Sequence, residues 1–230
     1  MKKCTNALIE YFKIELPKLE ENYQWKIPNI QGFHLPGESG YAANIELKKY
    51  LNQQWLKSDH EQRLKLSKII VADWGGVKTN RPETLSAYVS ELENTAPVTP
   101  LKGVASYSKI YAITDMNKYA IYDARVAACL NAVQWNHQVK EGIAFNYISG
   151  RNKITGDATK KIGFAHQELF KTKNLIIGGW SGIKKDDTYQ TYLNIMQNCL
   201  KHLPQYSLYD LEMTLFANAE IECTKAMTGK

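Results

Sequence analysis

Three kinds of residue in this chain have types and spacing that could do chemistry. Lys109 follows a glycine-containing turn at Lys102-Gly103-Val104-Ala105-Ser106, and Asp123 comes later in Tyr122-Asp123-Ala124-Arg125. A lysine amine freed of its proton attacks an electrophilic carbon, and a carboxylate beside it stabilises positive charge or moves a proton. Near the C-terminus, Glu212 and Phe216 stand four apart, which puts them on one face of a helix. A nucleophilic amine beside a carboxylate is an arrangement that can react with an electrophilic carbon.

These residues need helices to position them. Leu8, Ile9, Phe12 and Leu16 recur at helical spacing from Thr5 to about Leu16, and Pro17 ends or kinks that helix. Gln24 to Tyr41, with Pro28, Gly32, Pro36, Gly37 and Gly40, has loop composition, and a helix is expected over Ala43 to Leu56. Ser58 and Glu61 form the spacing of a capping box, opening a helix that Gly75-Gly76 stops. Pro82 introduces a helix with Leu85, Tyr88, Val89 and Leu92 on one face; Thr95 to Pro100 is a proline-bounded linker. The turn at Gly103 then reads as a short helix end, a tight hairpin and a helix carrying Lys109.

Asp123 is the natural cap of a helix showing Val126, Cys129, Leu130 and Val133. Residues 140 to 160 read as irregular, Ile162, Ala165, His166 and Leu169 as a helix, and Gly178 to Gly182 as a break. A long helix carries Tyr189 to Leu203, and a last one runs from Ser207 through Phe216, with Ala219 as its far limit. The expected class is all-α.

Composition narrows the function classes. With 44% hydrophobic and 23% charged residues the chain reads as globular, and its apolar runs, such as Ile69 to Ala72, are too short to span a bilayer. Met1-Lys2-Lys3 is followed by polar residues where a secretory signal needs an apolar stretch, so a cytoplasmic protein is expected. Cys4, Cys129, Cys199 and Cys223 are scattered, which argues against a zinc site or a disulfide framework. The net charge of +6 favours a polyanionic partner, and the lysines and arginines between Lys140 and Lys185 make the second half locally basic.

Leu101-Lys102-Gly103-Val104-Ala105 resembles a degenerate form of the hairpin of the helix-hairpin-helix DNA glycosylases. Ser108-Lys109 followed by Tyr119-Ala120-Ile121-Tyr122-Asp123-Ala124-Arg125 is similar to the short bacterial relatives of the 8-oxoguanine DNA glycosylases. Glu212-Met213-Thr214-Leu215-Phe216-Ala217 is similar to the segment in which those enzymes use a glutamine and a phenylalanine against the flipped base, with Glu in place of Gln. The resemblance covers about residues 97 to 135 and 187 to 219.

The resemblance implies a single two-lobed domain over 1–230. Its lobe boundary would lie near 95–100, and helices at about 187–219 would return to the N-terminal lobe. It also implies base-excision repair on double-stranded DNA, removing a damaged purine such as 8-oxoguanine, with or without a following lyase step. Lys109 would be the nucleophile and Asp123 its acid-base partner, while Gly103, Val104, Ala105 and Ser106 would anchor DNA. Glu212 and Phe216 would line the base pocket. No cofactor is required, and the family hairpin implies one monovalent cation. Aligning the hairpin glycine puts Tyr107 at the nucleophile's position instead. Two residues along a helix turn the side chain by about 200°, so Tyr107 and Lys109 cannot both face the site. Arg125 and Trp180 are further candidates for DNA contact, Trp180 being equally readable as a loop anchor. The alternative is a non-catalytic helix-hairpin-helix module that binds DNA or protein, as in a phage-defence or mobile-element system.

Overall fold

The computed structural model describes residues 1–30, 32–33 and 39–229. Pro36 and Gly37, part of the expected loop, lie outside them. The described chain is mostly helical. Helix α1 (Lys2–Glu15) passes through a tight turn at Leu16–Lys18 into the short α2 (Leu19–Asn22), with Pro17 inside the turn. α3 (Tyr41–Lys57) and α4 (His60–Lys68) follow, and α4 widens into a π-helical segment at Ile69–Trp74. α5 (Pro82–Glu91), α6 (Val104–Thr114) and α7 (Ala124–Asn136) complete the first half.

Beyond α7 come β1 (Ile143–Ala144), β2 (Arg151–Asn152) and β3 (Gly156–Asp157), then α8 (Thr172–Ile177) and β4 (Ser181–Gly182), and finally α9 (Thr188–Leu200) and α10 (Leu208–Thr228). β1 pairs in parallel with β4, and β2 with β3 antiparallel.

The core gathers around α7. Every residue from Val126 to Gln134 is buried, so this helix is enclosed rather than amphipathic. α10 packs along it, and α1 contacts both α7 and α9. Two buried amides of α7 hold the next loop: Asn131 and Gln134 each exchange a pair of hydrogen bonds with the backbone, at Phe145 and Ile143 respectively. The carbonyls of Ala120 and Ile121 accept from the buried Tyr189 and Tyr192 hydroxyls of α9, satisfying backbone that no helix pairs.

Several expected elements are revised. The capping box sits one residue on: the Asp59 carboxylate accepts from Gln62 N at 2.9 Å, and the Gln62 side chain accepts from Asp59 N. Ser58 instead donates to Gln54 O and closes α3. No regular helix covers 162–169; two one-turn 3₁₀ segments, Phe164–His166 and Glu168–Phe170, replace it, and Ile162 and Leu169 are exposed. α8 was hidden by its brevity, and α10 runs nine residues beyond Ala219 because its inner face keeps packing on α7. α5 ends at Glu91, so no helix end abuts the turn at Gly103.

Candidate functional site

Lys109 and Asp123 are brought together by one hydrogen bond between their neighbours. Ser108 of α6 accepts, through Oγ, the backbone N–H of Tyr122 at 3.1 Å. The Ser-Lys pair and the Tyr-Asp pair therefore lie side by side, although one is in a helix and the other precedes the next helix. Asp123 then caps α7: its Oδ1 accepts from Arg125 N at 2.9 Å and Val126 N at 3.0 Å, leaving Oδ2 without a capping bond.

Both residues line a cavity of about 350 Å³. Tyr23, Trp25, Trp74 and Phe216 give it aromatic walls; Lys48, Glu212 and Thr155 are its most buried polar groups. Arg125 and Arg151 also line it. Tyr23 and Trp25 pack on the Phe216 ring at 5.9 and 5.3 Å between centroids, and the Arg125 guanidinium lies 5.0 Å from the centroid of the same ring. Arg125 is also paired with Glu220 at 2.8 Å, so its charge is held in place at the cavity.

The lysine is prepared electrostatically. Lys109 is buried, and burial pulls its ammonium below the ordinary lysine range against the opposing pull of Asp123 and Glu212. Its Nζ donates to Ala105 O, one turn back, at 2.5 Å.

Lys48 and Glu212, from α3 and α10, form an ion pair at 2.8 Å with both side chains almost wholly buried. Burial raises the Glu212 carboxyl's pKa, and the Lys48 charge and hydrogen bond pull it back only in part. The Thr155 hydroxyl is buried with no hydrogen-bond partner and lines the same cavity. A buried hydroxyl without a partner is the kind of group a ligand satisfies.

Of the residues singled out from sequence, Lys109, Asp123, Ala105, Arg125, Glu212 and Phe216 line this cavity. Tyr107 does not. Its hydroxyl donates to Pro100 O, and its ring packs among Tyr88, Tyr111 and Tyr189 on the opposite side of α6. Gly103 holds a left-handed φ of 84° just before α6, Val104 is buried, and Ser106 accepts from the Asn80 side chain. Trp180 is outside the cavity: it is buried beside Gly142 and donates to Val139 O, which makes it a loop anchor.

Lys48, Gly75 and Thr155 were not anticipated. Nothing in the sequence marks Lys48, a lysine in a helix, as buried; a glycine just after a tryptophan is the only local trace of Gly75. No group of three or more His, Cys, Asp or Glu that could hold a metal occurs among the described residues. No helix among them is long and apolar enough to cross a membrane.

Comparison with protein families, curated proteins and solved structures found no match.

Proposed function

We propose that this protein is a DNA glycosylase of the helix-hairpin-helix kind that excises a damaged purine, such as 8-oxoguanine, from double-stranded DNA and can go on to cut the strand. The observation that carries the reading is the placement of Lys109, Asp123, Glu212 and Phe216 around one aromatic-walled cavity. They come from three separate stretches of sequence, each of which resembles a segment of the same family.

The chemistry follows from the geometry. A base inside a duplex is inaccessible, so the nucleotide must be flipped into the cavity. There Phe216, backed by Tyr23 and Trp25, offers a ring for the base to stack against, and Glu212 with Lys48 offers acceptors and a donor for its edge. Lys109, once deprotonated, attacks C1′. The new N–C bond forms as the glycosidic bond breaks, and the base leaves with the bonding pair and takes up a proton. Opening of the sugar ring then gives a Schiff base, from which loss of the 3′-phosphate cuts the strand. Asp123 stabilises the positive charge on the sugar and accepts the proton that the attacking amine sheds.

In this reading the chain is one two-lobed domain over 1–230 with its boundary near 95–100. The packing of α9 on α1, and of α10 on α1 and α2, supports the return of the C-terminal helices to the N-terminal ones. The turn at Gly103 to Ser106 would meet a DNA phosphate through the Ala105 N–H, since the Val104 and Ser106 amides already donate within the turn. The family's monovalent cation fits poorly here. The carbonyls of Pro100, Leu101 and Gly103 already accept from Tyr107 Oη, Val104 N, and Ser106 and Tyr107 N. No step is routed through a cation.

Borohydride trapping on duplexes containing 8-oxoguanine or an abasic site tests the proposal. A covalent adduct that disappears in Lys109→Gln is expected. No adduct on either duplex, together with no alkali-labile product from 8-oxoguanine DNA, would sink it in favour of a non-catalytic binding module.

A further inference from the structure

Two adjacent glycines close the π-helical segment, and they do different work. Gly76 has a φ of +68° and open space around its Cα, so its role is conformational: it lets the backbone take a left-handed turn. Gly75 has φ −78° and ψ −7°, a backbone that any L-residue adopts. What it lacks is room. A Cβ at Gly75 would lie 2.5 Å from Lys109 Cδ, 2.8 Å from Lys109 Cε and 2.8 Å from Ile70 O.

The wide turn before it brings Gly75 to this spot. Gly75 N donates to Ile70 O at 3.0 Å, five residues back, and Val77 N to Val71 O, six residues back. Both bonds skip the ordinary helical partner, and the expanded turn puts the Gly75 Cα against the stem of Lys109. Gly75 lines the cavity together with Trp74 and Lys109.

From this we infer that Gly75 is a positioning residue for Lys109: its bare Cα is the wall along which the lysine stem enters the cavity, and it sets where the amine stops. The inference rests on the proposed use of Lys109 as nucleophile. A methyl group at position 75 would press on both the lysine stem and the Ile70 carbonyl, and the stem, with its rotatable bonds, is the more easily moved of the two. The displaced amine would reach wetter surroundings, which relieves the desolvation that is the larger influence on its pKa.

The test compares Gly75→Ala with Gly76→Ala in two assays. Trapping on an abasic duplex measures the reaction. Borohydride reductive methylation with formaldehyde, read at Lys109 by peptide mass spectrometry across pH, measures the amine without DNA. Gly75→Ala is expected to slow trapping about 10-fold or more, since misplacement of a reacting group by an ångström costs that much. It is also expected to move the methylation midpoint upward toward ordinary lysine, while Gly76→Ala leaves the midpoint unchanged.

Wild-type trapping and an unmoved midpoint in Gly75→Ala would overturn the inference. A midpoint that moves in Gly75→Ala while the wild-type protein traps no DNA would leave the role of Gly75 standing and remove the proposed reaction. If Gly75→Ala does not fold, Gly75→Ala/Lys109→Ala decides. A restored fold identifies the lysine stem as the obstacle; failure to restore it assigns the glycine to the Ile70 carbonyl and overturns the inference.

Discussion

Lys48 Nζ and Glu212 Oε2 meet at 2.8 Å, from helices far apart in sequence, with side chains only 2% and 4% exposed. Desolvating both charges offsets most of their attraction, so the pair adds little net stability, but either charge left alone is costly. Lys48→Met should therefore destabilise the protein by about 3–5 kcal/mol, and Lys48→Met/Glu212→Gln by clearly less. Denaturant midpoints of the three proteins check this; a double variant as unstable as the single one would contradict it.

The same pair has a consequence for the base. In the proposed reading, the two oxygens of the Glu212 carboxylate can accept the adjacent N1–H and N2–H donors of guanine, whereas adenine presents one donor beside an acceptor. Wild-type protein should excise 8-oxoguanine faster than 8-oxoadenine by about 10-fold or more, the equivalent of one well-placed hydrogen-bonded contact. Lys48→Met/Glu212→Leu, which removes the acceptor altogether, should lose most of that preference. Equal rates on the two lesions in the wild-type protein would remove Glu212 from base reading.

Asp123 has a capping duty and a proposed chemical one, and substitution separates them. Asparagine retains an oxygen for the Arg125 and Val126 amides, so Asp123→Asn should keep stability within about 0.5 kcal/mol, whereas Asp123→Ala should lose about 1 kcal/mol. Both should depress single-turnover excision, by at least ~100-fold. Loss of activity only in the alanine variant would reduce Asp123 to a cap.

Burial lowers the Lys109 pKa in the folded protein. Between that lowered value and the free lysine value of about 10.4, the unfolded chain binds more protons than the folded one, so stability rises with pH across that window. Below the folded pKa the penalty for burying the amine is constant. Lys109→Met should flatten that rise. Parallel stability curves for the two proteins would show that Lys109 is not held neutral.

Phe216 makes its ring contacts at the cavity and is only half-buried. Phe216→Ala should weaken binding to a duplex carrying an uncleavable lesion analogue by the worth of one base stack, about 1–3 kcal/mol. Affinity for undamaged duplex should stay unchanged, and equal weakening on both would place Phe216 outside the base pocket.

Much of this fold was legible in local pattern. Helical periodicity and punctuation located α1, α3, α5, α7 and α9 because each combines an apolar repeat with a proline, glycine or carboxylate at its start or end. Asp123 as the cap of α7 was readable for the same reason: capping involves residues within one turn of chain. The residues of 162–169 misled because their apolar spacing fits a helix, while Gly163, at φ 89°, and packing of Phe164 and Phe170 against α7 and α10 break it into single turns.

What the chain by itself determined was that Tyr107 and Lys109 point to opposite sides of α6, since that is a matter of 100° per residue. Which side holds the cavity was decided only by tertiary packing: the tyrosines of α5, α6 and α9 gather round Tyr107, and the π-helical turn, α3 and α10 enclose Lys109. The burial of Lys48, its pairing with Glu212 across the fold and the closeness of Gly75 to a lysine stem all depend on distances between segments remote in sequence. No local propensity encodes such distances, because they are set by how the helices pack.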